Sequence, residues 1–110
     1  VDTRGRARRA VPDDPALDGV RTPSLCQPDP LGSLRSATFA TDEVALVYAC
    51  TDGFGTARVE PDWWRVTGTE LAGYVATHGT AWVADRLPGW LAEPARVGGD
   101  DTTLALLARG

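Results

Sequence analysis

The sequence predicts an α+β fold, an antiparallel sheet with flanking helices. Three observations carry that prediction. Residues 44–50 and 102–108 are short apolar stretches bounded by turn residues, the mark of strands. Between them, apolar side chains recur at helical spacing. The chain has 110 residues, 43% hydrophobic and 24% charged, which suits one domain and excludes disorder throughout.

Residues 1–11 hold Arg4, Arg6, Arg8 and Arg9 against Asp2, a local charge of +3. A nucleic-acid arm is one reading of such a tract. The favoured reading is a surface hairpin turning at Gly5, with solvated arginines. The whole chain carries −4, and its acidic remainder would repel a phosphate backbone, so no nucleic-acid partner is expected.

Residues 12–32 contain Pro12, Pro15, Pro23, Pro28 and Pro30. Each fixes its own φ and turns its predecessor away from helix, so the segment is expected to be a loop. Sheet and helices are expected over 33–110. Residues 35–40 alternate polar and apolar side chains, the pattern of a half-buried strand. Thr41, Asp42 and Glu43 form a polar break of hairpin length. The strand at 44–50 is apolar on both faces, which predicts a central strand covered on both sides. It should stop at 51–55, where Gly53 and Gly55 free the backbone to turn.

Thr67 and Glu70 fit a capping box, predicting a helix that starts at Thr67. Leu71 and Val75 share its inner face. Trp82, Val83, Leu87, Trp90 and Leu91 continue the stripe, and Trp82 and Trp90 are expected in the core. A break is expected near His78 and Gly79, and a kink or stop near Pro88. After Gly98, Gly99, Asp100 and Asp101, residues 102–108 form a second central strand.

Several chemistries have no residues to perform them. No Ser-His-Asp or Cys-His set is evident, and His78, the single histidine, is expected to be structural. Cys26 and Cys50 lack zinc-site spacing, and Cys50 should be buried and inert. Trp63 and Trp64 suit an anchor for the helical layer, or else a peptide platform. No apolar run is long enough to cross a bilayer, so no membrane partner is expected. No apolar signal segment follows the Arg-rich start, which points to a cytoplasmic protein. Lys, Ile, Asn and Met are absent, as GC-rich coding would produce. A chain that starts at Val1 without any Met reads as a fragment or a processed product.

Asp52 follows the first central strand, and Asp100 and Asp101 precede the last. If these strands pair antiparallel, the carboxylates converge at one rim. Two carboxylates that close favour a hard divalent cation between them, Mg²⁺ or Mn²⁺. Parallel strands would put them at opposite ends, roughly 20 Å apart. On the residues alone, both clusters also read as ordinary turn acids.

Residues 45–54, with Thr51-Asp52-Gly53 after an apolar strand, resemble the "(S/T)DG" motif of the metal-dependent PPM or type 2C serine/threonine phosphatases. Residues 99–107 are similar to that family's last motif, an Asp followed by Asn or Asp, then Thr or Ser, then an apolar strand. The helical interval between them also fits the family's order. The resemblance implies half of a β-sandwich, in a chain that is the C-terminal part of a catalytic domain. It implies that Asp52 and Asp100 match two late ligands of one metal, and that Asp101 holds Asp100 in place. Intact members use two Mn²⁺ or Mg²⁺ ions to hydrolyse phosphoserine or phosphothreonine in a phosphoprotein. The family's early Asp-Gly motif and phosphate-binding Arg are absent here, so this chain should be inactive alone and hold at most one ion weakly. A sheet face left uncovered would be closed by the missing N-terminal half or by self-association. The alternative is a non-catalytic pseudophosphatase or interaction module.

Overall fold

The computed structural model describes residues 1–15 and 24–110. They form two compact units, 9–39 and 1–8 with 40–110. The smaller unit is loop, as the prolines predict, apart from a 3-10 turn at Leu31–Ser33. The part of that loop prediction at 16–23 lies outside the described residues. Arg35 bonds Asp14 at 3.2 Å in this unit, and Arg9 bonds Asp13.

The strand expected at 35–40 does not form. Residues 34–40 join no ladder, and a 3-10 turn at Thr41–Glu43 follows. Ser36, Ala37 and Thr38 are small and exposed, so the alternation buries too little apolar surface to hold a strand in place.

The larger unit runs β1 (Leu46–Cys50), α1 (Asp52–Thr56), α2 (Trp63–His78), α3 (Thr80–Gly98) and β2 (Leu104–Ala108). β1 and β2 pair antiparallel, with Leu46 opposite Ala108 and Cys50 opposite Leu104. The two strands that pair are thus far apart in sequence rather than neighbours. Even-numbered side chains of both strands face the helices. Leu46, Leu71 and Val83 are buried there, with Tyr48, Val75, Trp82, Leu87, Leu104 and Leu106 packed around them. The odd-numbered positions are open: Val47, Ala49, Ala105 and Leu107 are all exposed, Leu107 by 75%. The double-sided apolar pattern of β1 is therefore covered on one face only.

The N-terminal segment turns at Gly5 but makes no two-stranded hairpin of its own. It docks beside β1 instead. The backbone nitrogen of Val1 donates to Leu46 at 2.7 Å, and Asp2 bridges Val44. Asp2 also clamps the turn, pairing with Arg6 at 2.8 Å.

β1 stops at Cys50 as expected, and Asp52–Thr56 form a helical turn, α1. α2 begins at Trp63, four residues before the expected cap, and Thr67 and Glu70 lie inside it. Trp63 fixes the earlier start: its ring meets Phe54 edge-on at 5.6 Å and lies against Gly55. The Tyr48 hydroxyl donates to the Trp64 carbonyl, tying β1 to the same turn. Trp63 is thus an anchor for the helical layer, and Trp64 supplies the carbonyl that holds Tyr48. Gly79 ends α2 as expected; at φ 89° and ψ 165° it adopts a backbone geometry open essentially to glycine alone. α3 does not stop at Pro88 but continues through Pro88 and Pro94. An interior proline costs a helix about 3 kcal/mol. Burial along the helix offsets that cost: Val83 is buried completely and Pro94 is buried.

Candidate metal site

Antiparallel pairing sets the end of β1 beside the start of β2, and the acidic residues lie at that rim. Asp52 is the first residue of α1. Gly99, at φ 66°, ends α3 in the left-handed conformation and leads into Asp100 and Asp101. Thr51 stitches the two segments together. Its N–H donates to the Thr103 carbonyl at 3.0 Å, and its hydroxyl donates to the Asp101 carbonyl at 3.2 Å. The same hydroxyl accepts the Thr103 N–H at 3.0 Å.

Gly53 makes the closest approach. A β-carbon there would lie 2.4 Å from the Asp101 carbonyl oxygen and 3.3 Å from the Asp100 β-carbon. Its φ is not positive, so the glycine is required for proximity rather than for turning freedom. This corrects the reading of Gly53 as a residue that frees the backbone to turn. The Thr-Asp-Gly order carried the signal: a hydroxyl to stitch, then a carboxylate, then a residue with no side chain to obstruct the neighbouring loop.

Each carboxylate is steadied by the next peptide. Asp52 Oδ1 accepts the Gly53 N–H at 3.0 Å, and Asp100 Oδ1 accepts the Asp101 N–H at 2.8 Å. Neither Oδ2 accepts a hydrogen bond from the described residues. Both side chains are exposed, so they keep their hydration until a ligand displaces it. The Asp101 backbone carbonyl is already used by Thr51, and its side chain is exposed. All available donors are hard oxygens, which fit Mg²⁺ or Mn²⁺ and not zinc or copper. Six-coordination would need several waters or outside ligands besides these two carboxylates. Among the described residues no group of three or more His, Cys, Asp or Glu side chains is assembled for a metal.

The other candidates lie elsewhere. His78 is exposed and stacks on Trp82 at 4.1 Å, where it faces an aromatic ring rather than an acid. Cys50 is half-buried, and burial pushes its thiol above the ordinary cysteine value, which makes it a poor nucleophile. Trp90 is not a core residue, and Trp82 packs against the core only with one side. Trp82 is half-buried under the Arg86 guanidinium, 3.8 Å above its ring, and Trp90 is 37% exposed. With Tyr74 they make a surface aromatic cluster, Tyr74 lying 5.2 Å from Trp90. Of the part of that stripe on α3 only Val83 goes wholly under, because a two-stranded sheet is too narrow to cover more.

The sequence also gave no warning of a half-open groove of 330 Å³ beside this cluster. Phe54, Leu71, Tyr74, Leu87, Trp90 and Leu104 line it together with the charged Arg58, Glu70 and Glu93. No described helix is long and apolar enough to cross a membrane.

Comparison with family models, with curated proteins and with solved structures finds no match for this chain.

Proposed function

We propose that this chain is the C-terminal, metal-binding part of a type 2C-like metal-dependent phosphatase domain. In this reading Asp52 and Asp100 share one Mn²⁺ or Mg²⁺, and Asp101 steadies Asp100. The observation that supports it is the antiparallel rim, where Thr51 and Gly53 lock the Asp52 turn against the Asp100 loop. A divalent ion bound there would supply charge neutralisation for a phosphoryl oxygen. The protein's own part is to hold two carboxylates in fixed orientation, each by one backbone N–H. The natural substrate class is a phosphoserine or phosphothreonine in a phosphoprotein, acted on by the intact domain.

Two carboxylates make a weak half-site. Calorimetric titration with Mn²⁺ should therefore show one low-affinity site, and Asp52→Asn or Asp100→Asn should each abolish it. Uptake that survives both substitutions would remove these residues from the site. The chain alone should leave p-nitrophenyl phosphate essentially unhydrolysed in Mn²⁺ buffer; rapid turnover would overturn the half-site reading. The exposed Val47 and Leu107 favour a second reading, a non-catalytic interaction module. Absence of any Mn²⁺ uptake by the unaltered chain would select it.

A further inference from the structure

The outer edge of β2 is an unprotected strand edge. Thr51 N–H bonds the Thr103 carbonyl and Arg109 N–H bonds the Ala45 carbonyl, so the odd-numbered residues of β2 face β1. The even-numbered residues Leu104, Leu106 and Ala108 direct their backbone N–H and C=O groups away from β1, and no described residue bonds them. Natural edges are blunted by charge, proline or a bulge. Between Asp101 and Arg109 this strand has no charged residue, no proline and no glycine. The other edge of the sheet is blocked at its start, where Val1 bonds Leu46 and Asp2 bridges Val44.

We propose that β2 pairs antiparallel with β2 of a second copy of this chain, joining two two-stranded sheets into one of four strands. The occupant follows from charge and register. A two-fold axis at Ala105 sets Leu104 opposite the other copy's Leu106 as a hydrogen-bonded pair. On the open face it sets Ala105 opposite Ala105, Thr103 opposite Leu107, and Asp101 opposite Arg109. Each end of the seam then carries one opposite-charge pair. Both side chains are exposed, and the only described partner of the Arg109 guanidinium is the Thr41 carbonyl at 3.4 Å. Shifting the axis by one residue to Leu106 keeps the hydrogen-bond parity but sets Arg109 against Thr103 and leaves Asp101 without a partner. The charges therefore select the first register. The pairing is isologous and uses up the free edge of both copies, so it closes at a dimer. It also gains stability, because an isolated two-stranded sheet is marginal in water. The dimer shares Asp101 with the metal reading but needs no ion: the Asp101 backbone N–H holds Asp100, and the seam uses the Asp101 side chain.

Sedimentation of the whole chain at micromolar concentration, in EDTA so that no ion bridges copies, should give twice the 11.7 kDa monomer mass. Arg109→Asp and Asp101→Arg should each weaken the dimer about tenfold or more, and the double variant should recover most of that loss. In a Cys26→Ser, Cys50→Ser background, Ala105→Cys should cross-link when diamide oxidises its thiol pair. Cysteines directly opposite in a non-hydrogen-bonded pair have Cα atoms about 4.5 Å apart, within disulfide range. Leu107→Cys is more exposed, yet should cross-link far less, because Thr103 and not a second cysteine faces it. A monomer at 100 µM sinks the proposal. So does a dimer indifferent to the charge variants, or Leu107→Cys cross-linking as fast as Ala105→Cys.

Discussion

Asp2 holds the N-terminal turn with one carboxylate. Its Oδ1 accepts the N–H groups of Arg4 and Arg6, each at 2.9 Å, and its Oδ2 accepts the Arg6 side chain at 2.8 Å. The Arg6 backbone bond is the largest influence, and with the Arg6 guanidinium it holds the carboxyl below the ordinary aspartate value of 3.8. The folded turn therefore favours the ionised form. Its contribution is present above the unfolded value and fades as pH falls through the lower folded value. A carboxyl titration by NMR should find the Asp2 midpoint below 3.8, with the Arg4 and Arg6 amide shifts moving together with it. A midpoint at or above that value would dissolve the clamp. The turn at Gly5 was legible in the sequence. The clamp was not, because in a list of charges Asp2 counts only as one acid among arginines.

At the scale of elements, the existence of the two strands and the break at Gly79 were legible, because apolar runs and glycine punctuation act locally; their expected central position was not met, since the sheet has two strands and one open face. The start of α2 and the survival of α3 past Pro88 were not. Both depend on partners distant in sequence: Phe54 under Trp63, and the sheet and α1 under α3. A capping box at Thr67 is a local pattern, and a tertiary anchor four residues earlier overrides it. The acidic rim was legible only as far as strand direction could be supposed, and its tightness at Gly53 was not. Gly53→Ala tests that tightness. A methyl there meets the backbone of Asp101, which a side-chain rotation cannot relieve. The substitution should cost on the order of 1–3 kcal/mol in a denaturant titration. It should also loosen the link between the Asp52 and Asp100 segments, visible as faster amide exchange at Thr103. An unchanged titration would mean that the two segments are not in close contact.

For the molecule as a whole, the core is small. Among the described residues three buried side chains, one each from β1, α2 and α3, join the sheet to both long helices, and Phe54 of α1 is buried too. Losing one of them weakens every interface at once. Leu71→Ala should destabilise by about 2–5 kcal/mol, a large share of the 5–15 kcal/mol typical of a domain. Urea unfolding followed by tryptophan fluorescence measures it; a loss under 1 kcal/mol would show that the helices are held by other contacts. The sequence announced a layered α+β chain but not how few residues its core would contain. Hydrophobic content is ordinary at 43%, yet many apolar side chains lie on the open sheet face and in the aromatic cluster.

The single residue between the two long helices has a kinetic consequence. A helical pair joined at Gly79 can meet within a few turns of chain, whereas the sheet must close a span of about fifty residues, at roughly 3–4 kcal/mol of lost chain entropy. Assembly is thus expected to begin with the helical pair and finish with the strands, the rim acids arriving last. Pulse-labelled amide exchange would show that order directly, and simultaneous protection of strands and helices would contradict it.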